Sequence, residues 1–136
     1  MNRKELAVQL HHQKFNCAQS VACAFCHVLG YDPQTVFKMS EAFGGGMGTM
    51  GTCGAVSGMA MAIGMKCSDG NLDQPGTKAE CYKLMKTATM MFEAKNGSVI
   101  CREIKGVDTG KVLRSCDGCI EDAVEILDHL LLGIED

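Results

Sequence analysis

Aromatic residues are scarce in this sequence, at 5%, and tryptophan is absent. Proline occurs only twice. Neither sign of charge dominates, since the formal net charge is −3. That balance, with no Lys/Arg stripe interleaved with aromatics, excludes a nucleic-acid binder working by bulk electrostatics. Long hydrophobic runs are missing too. The longest mostly apolar stretch, Cys53 to Met65, contains glycine and serine and is too short to cross a bilayer, so no membrane insertion is expected. Strand signals are nearly absent: there is no period-two run of β-branched residues and no hairpin turn.

What is present is ordinary in bulk and unusual in detail. Apolar residues make up 46% and charged residues 21%, the range of a folded globular protein. A chain of 136 residues suits a single domain over residues 1–136, long enough to bury a core without covalent staples. Ten methionines and sixteen glycines are many. Methionine adapts to irregular packing. Nine cysteines dominate the inventory, and an odd number cannot pair completely. The opening Met1-Asn2-Arg3-Lys4-Glu5 leads into an amphipathic stretch, with no apolar core of an export signal. A reducing, cytoplasmic location is therefore expected. In such a compartment clustered cysteines bind metal or do redox work more often than they form structural disulfides.

Helical periodicity recurs along the chain. Leu6 and Leu10 suggest a first helical turn or two. Ala18, Val21, Ala22, Phe25 and Val28 or Leu29 follow at helical spacing and stop at Gly30. Asp32-Pro33 has the cap-plus-proline form of a helix start, carrying Val36, Phe37 and Phe43 on one side. A further helix is predicted from Thr52 to Met65. A long one from Pro75 places Cys81, Leu84, Met85, Ala88, Met91 and Phe92 on one stripe before Asn96-Gly97. A short helix from Ser98 to Gly106 and a last one from Ser115 complete the set. The expected fold is all-α: one compact domain of about five to seven helices, with a glycine-rich loop and helix in its core.

Four cysteines sit next to residues that favour helix N-caps. Cys17 follows Asn16, with Gln19 placed for a capping box; Cys53 follows Thr52; Cys101 lies three residues after Ser98; Cys116 follows Ser115. In a first helical turn, free amides and the positive dipole end favour a thiolate and so a nucleophile or metal ligand. Cys116-Asp117-Gly118-Cys119 is a Cys-x-x-Cys pair at a helix start, the local arrangement of a redox dithiol. The other such pair, Cys23 and Cys26, lies mid-helix. Together with Cys67 and Cys81 these are read as small apolar side chains.

The segment from Gly44 to Gly64 formally contains a dinucleotide fingerprint at Gly46, Gly48 and Gly51, but that motif needs a preceding strand. Close backbone approach is the better reading: Gly51, Gly54, Ala55 and Gly58 leave one helix side nearly bare for a second helix or a cofactor. Gly54 also exposes the sulfur of Cys53 and the nearby amides. His11, His12, His27 and His129 show no metal-ligand spacing with the cysteines, and His11 and His12, being adjacent, diverge on a helix.

Taken together, Asn16-Cys17-Ala18-Gln19-Ser20, Phe43 to Gly48, Cys53 to Gly58, Cys101-Arg102-Glu103-Ile104-Lys105-Gly106 and a cysteine opening the last helix resemble the C_GCAxxG_C_C family. That family is named for its cysteine pattern, and the resemblance implies a redox activity. The resemblance spans nearly the whole chain. It implies four functional cysteines, carried here by Cys17, Cys53, Cys101 and Cys116, with Cys119 an extra that leaves the last position open. A related domain looks to be present in split-Soret cytochromes, where an iron–sulfur site has been proposed.

The expected function is redox or electron transfer through one buried site. Cys17, Cys53, Cys101 and Cys116 would be metal ligands, joined by Cys119 for thiol chemistry and by Gly54 in lining the cofactor. The cofactor is left open between an iron–sulfur cluster, zinc and none. A metal-binding or sulfur-trafficking module and a structural helical protein are the alternatives. The electron or thiol partner is unassigned, and a homodimer through the bare glycine face is an expectation.

Overall fold

The computed structural model describes residues 1–135; Asp136, the end of the expected 1–136 domain, lies outside the described residues. Eight α-helices follow one another: α1 Arg3–His12, α2 Cys17–Ala24, α3 Cys26–Leu29, α4 Pro33–Ser40, α5 Gly54–Cys67, α6 Lys78–Asn96, α7 Cys101–Ile104 and α8 Cys116–Leu132. Two of them, α3 and α7, are four-residue pieces, so the six longer helices fall within the expected number. Among the described residues there is no strand, only an isolated antiparallel bridge between Thr52 and Ile100. No helix among them is long and apolar enough to cross a membrane.

Local chemistry accounts for several boundaries. Asn16 closes a full capping box with Gln19, each side chain accepting from the other's amide, and this separates α2 from α1. Asp32 caps α4 with Pro33 in the first turn, and Ser115 caps α8 through the Gly118 amide. Gly30, Gly97 and Gly133 end their helices in the left-handed conformation. Three starts differ from the expectation. The fifth helix begins at Gly54 with Cys53 as its cap, because Thr52 is drawn into the bridge with Ile100. The long helix begins at Lys78 behind Thr77, and Pro75 stays in the preceding loop. The short α7 begins at Cys101 behind Ile100, while Ser98 accepts from the Ile100 amide and donates to Glu103 at 2.6 Å.

Helix α5 lies at the centre, packed by α2, α8 and α6, while α1 lies across α2 and α8. Phe25, Met59, Ile63, Phe92, Ile120, Val124 and Leu127 fill the core between them. The α2–α5 contact depends on small residues. A Cβ at Gly58 would lie 2.8 Å from Cβ of Val21, so glycine is what lets the two backbones meet. The side of α5 at Gly54 and Gly58 is therefore packed against α2 of the same chain, while nothing lies within 4 Å of a Cβ built at Gly64.

Candidate functional site

One pocket lies where the starts of α2, α5, α7 and α8 converge. Its cavity is about 160 Å³, and all five candidate cysteines, Cys17, Cys53, Cys101, Cys116 and Cys119, line it. They arrive from four separate segments. Asn16 holds the start of α2 and donates from Nδ2 to the Glu41 carbonyl at 2.8 Å, which ties the glycine segment to Cys17. The bridge sets Cys53 beside Cys101: the Cys53 amide donates to the Val99 carbonyl and the Cys101 amide to the Gly51 carbonyl, both at 2.7 Å. Capping by Ser115 brings Cys116 and Cys119 from α8.

Glycines form the opposite wall. Gly46 sits at φ +62°, where a Cβ would collide with Gly51 and lie 3.0 Å from Cβ of Cys101. Gly54 lines the pocket as expected. Its missing side chain lets Cβ of Cys17 approach to 3.1 Å of where its own Cβ would be. Gly46, Gly48 and Gly51 follow a 3₁₀ turn, Glu41–Phe43, and no strand, so the dinucleotide arrangement is absent there.

The sulfurs pair off by protonation. The Cys17 thiol donates to Cys116, and this bond, with help from Lys105 and His11 against the cost of burial, brings the Cys116 thiol down to about 6. Cys17 is held well above its ordinary value by the same bond and by burial. Likewise Cys119 donates to Cys53, which falls to about 7, and Cys119 rises. The Ala55 and Val56 amides also favour the Cys53 thiolate, although its side chain closes no full capping bond. Burial pushes Cys101 up, opposed by Lys105. The expectation that a helix start lowers every one of these thiols therefore needs correction. Only Cys53 and Cys116 are lowered, and a neighbouring thiol is the largest cause at both.

Two cations that sequence reasoning did not single out, Lys105 and Arg114, line the pocket, and His11 lines it with them. Lys105 lies one helical turn after Cys101, a spacing that could have marked it. Arg114 is fixed by two bonds to the buried carboxylate of Asp122, at 3.1 and 3.2 Å, and lies in the space that a side chain at Gly118 would fill. The remaining cysteines stand apart from the pocket. Cys26 is buried between α2 and α4 with Cys23 beside it; Cys67 and Cys81 are half-buried against the main core, Cys67 as the last residue of α5.

His11 and His12 were expected to diverge and do not. At the end of α1, His11 reaches Asp117 with its near nitrogen Nδ1 at 2.6 Å, and His12 with its far nitrogen Nε2 at 2.7 Å. Two different reach lengths compensate for the turn between neighbours on a helix.

Comparison with the curated proteins and with the solved structures finds no match. A family model described as "Putative redox-active protein (C_GCAxxG_C_C)" matches residues 15–130, a span that contains all five pocket cysteines. With that match over most of its length, the chain belongs to the C_GCAxxG_C_C family.

Proposed function

We propose that the protein transfers electrons, with the five-cysteine pocket as its working centre and a partner that docks at the cationic rim. The observation that carries this reading is the convergence of Cys17, Cys53, Cys101, Cys116 and Cys119 on one small cavity from four separate segments. Core packing alone gives no reason for five thiols to share a wall with Lys105 and Arg114.

The donor set suits an iron–sulfur cluster. All the candidate ligands are soft sulfurs, the cavity is small and partly closed by glycine backbone, and Lys105 and Arg114 oppose the negative charge such a cluster carries. A zinc ion held by four of the same thiolates is the alternative occupant, and the absence of acid-labile sulfide would mark it. Cys17, Cys53, Cys101 and Cys116 would hold the cluster, which supplies one-electron chemistry. Cys119 then acts on Cys53 from behind, and the rim cations set the local potential. Free thiols of this kind suit a reducing, cytoplasmic setting.

A second reading rests on the sulfur pairing. Cys17 and Cys116 are the two pocket cysteines that are half-buried rather than buried, and they form a thiol–thiolate couple. The Cys116 thiolate would attack a disulfide of the partner, breaking its S–S bond and releasing one partner thiolate. Cys17, losing its proton, would then displace the second partner sulfur, leaving a Cys17–Cys116 disulfide and a reduced partner dithiol.

Anaerobic purification with iron, acid-labile sulfide and thiol counting tests both. The cluster reading expects iron, sulfide and visible absorbance that vanish in Cys17→Ser, Cys53→Ser, Cys101→Ser and Cys116→Ser but survive in Cys81→Ser. The dithiol reading expects a colourless protein with a reversible Cys17–Cys116 disulfide. A protein with neither property, and with unchanged behaviour when the pocket cysteines are removed, sinks both readings in favour of a structural role.

A further inference from the structure

From the convergence of His11, His12 and Asp117 we propose a second, independent site on this protein: an open divalent transition-metal site on the rim of the cysteine pocket. The donor atoms His11 Nδ1, His12 Nε2 and one Asp117 carboxylate oxygen all lie within 4.8 Å of one another. Two ring nitrogens and a carboxylate are the ligands of zinc, cobalt(II) and nickel(II); calcium and magnesium require oxygen donors throughout. The present nitrogen–oxygen separations are 2.6 and 2.7 Å. A tetrahedral ion with bonds of about 2.0–2.1 Å holds its ligands about 3.3 Å apart, so the rings need to withdraw by less than about 1 Å.

Exposure defines the kind of site. Side-chain exposure is 26% at His11, 64% at His12 and 36% at Asp117, so the remaining coordination positions face water. Three protein ligands with an open position is the arrangement of a reactive or exchangeable ion, where a buried structural ion takes four. Placement adds a functional consequence. His11 also lines the cysteine pocket, and Asp117 follows Cys116 in the first turn of α8. An ion there would sit at the pocket mouth, able to bind an anionic or sulfur-bearing ligand on its way to the thiols. It would also join the end of α1 to the start of α8. The site does not depend on what the cysteine pocket holds.

The structure contains its own control. His129 Nδ1 meets Glu135 at 2.7 Å, an exposed histidine–carboxylate pair with no second histidine. The experiment is a Zn²⁺ titration of the reduced, full-length protein, following the ring ¹⁵N signals of its four histidines. The His11 and His12 nitrogens should move together to metal-bound positions while His27 and His129 stay in place. Losing even an outer partner of a metal ligand costs about 10–100-fold in affinity, so His12→Ala should raise the zinc concentration that moves His11 by more than about tenfold. His12 is largely exposed, so this variant keeps the fold. In Cys17→Ser/Cys116→Ser the paired response should persist, which separates this ion from any held by the pocket. The proposal is overturned if His11 and His12 stay unmoved up to about 1 mM zinc, or if His129 responds equally. A His11 response unaffected by His12→Ala, or one that disappears with the pocket cysteines, overturns it as well.

Discussion

The surroundings of the Cys116 thiol bring it down to about 6. The Cys17 thiol favours the Cys116 thiolate most, burial opposes it, and Lys105 and His11 add to the lowering. Alkylation needs the thiolate, so Cys116 should react with iodoacetamide along a pH curve with its midpoint near about 6, well below the ordinary 9.0. Reactivity should rise as pH climbs through that midpoint and fade below it. Cys17→Ala removes the donating group, the largest cause, and should move the midpoint up toward the ordinary value, as mass spectrometry of pulse-labelled protein would reveal. Lys105→Met should move it in the same direction by less. Asn16 acts on the site through the backbone: Asn16→Ala deletes a complete capping box and should cost roughly 1 kcal/mol in urea unfolding.

At the scale of an element, α5 shows two glycines with opposite purposes. Gly58 faces Val21 of α2, where an added Cβ would lie at 2.8 Å from a Cβ that cannot swing aside. Gly64 lies in the same helix with nothing within 4 Å of its absent Cβ. Alanine restores about 1 kcal/mol of helix propensity at either position, but overpacking costs typically 1–3 kcal/mol. Gly58→Ala should therefore be neutral to destabilising by about 2 kcal/mol, whereas Gly64→Ala should stabilise by about 0.5–1 kcal/mol. Denaturant midpoints of the two variants check this. Equal shifts for both would mean that α2 and α5 are not held at this close approach.

Across the whole molecule, the apolar core and the cysteine pocket are adjacent yet separable. Phe92 is fully buried between α6 and its neighbours, away from the pocket lining. Phe92→Ala should cost about 3–5 kcal/mol, a large part of the 5–15 kcal/mol typical of a domain. Cys116→Ser alters a half-buried side chain at the pocket edge and should remove the redox property with a much smaller loss of stability. Thermal unfolding alongside iron and thiol counting separates the two effects. Stability resides in the helical core, and the reactive groups sit where four helix starts meet at its edge.

Features that depend on near neighbours could be read along the chain. Asn16-Cys17-Ala18-Gln19, Asp32-Pro33 and Ser115-Cys116 place helix starts because a cap and its amide partner lie three residues apart. The stripe from Leu84 to Phe92 was legible because a helix repeats every 3.6 residues. Cys17, Cys53, Cys101 and Cys116 could likewise be named as a set from their motifs and their resemblance to a family. How these pieces meet is set by the packing of the helices. The bridge that carries Thr52 to Ile100, the pairing of Cys17 with Cys116 and of Cys53 with Cys119, and the reach of His11 and His12 to Asp117 all join segments far apart in the chain. Their partners are chosen by how α1, α2, α5 and α8 pack, and no spacing along the sequence encodes that choice. The same packing reassigned Thr52 from helix cap to bridge and Cys53 from first turn to cap.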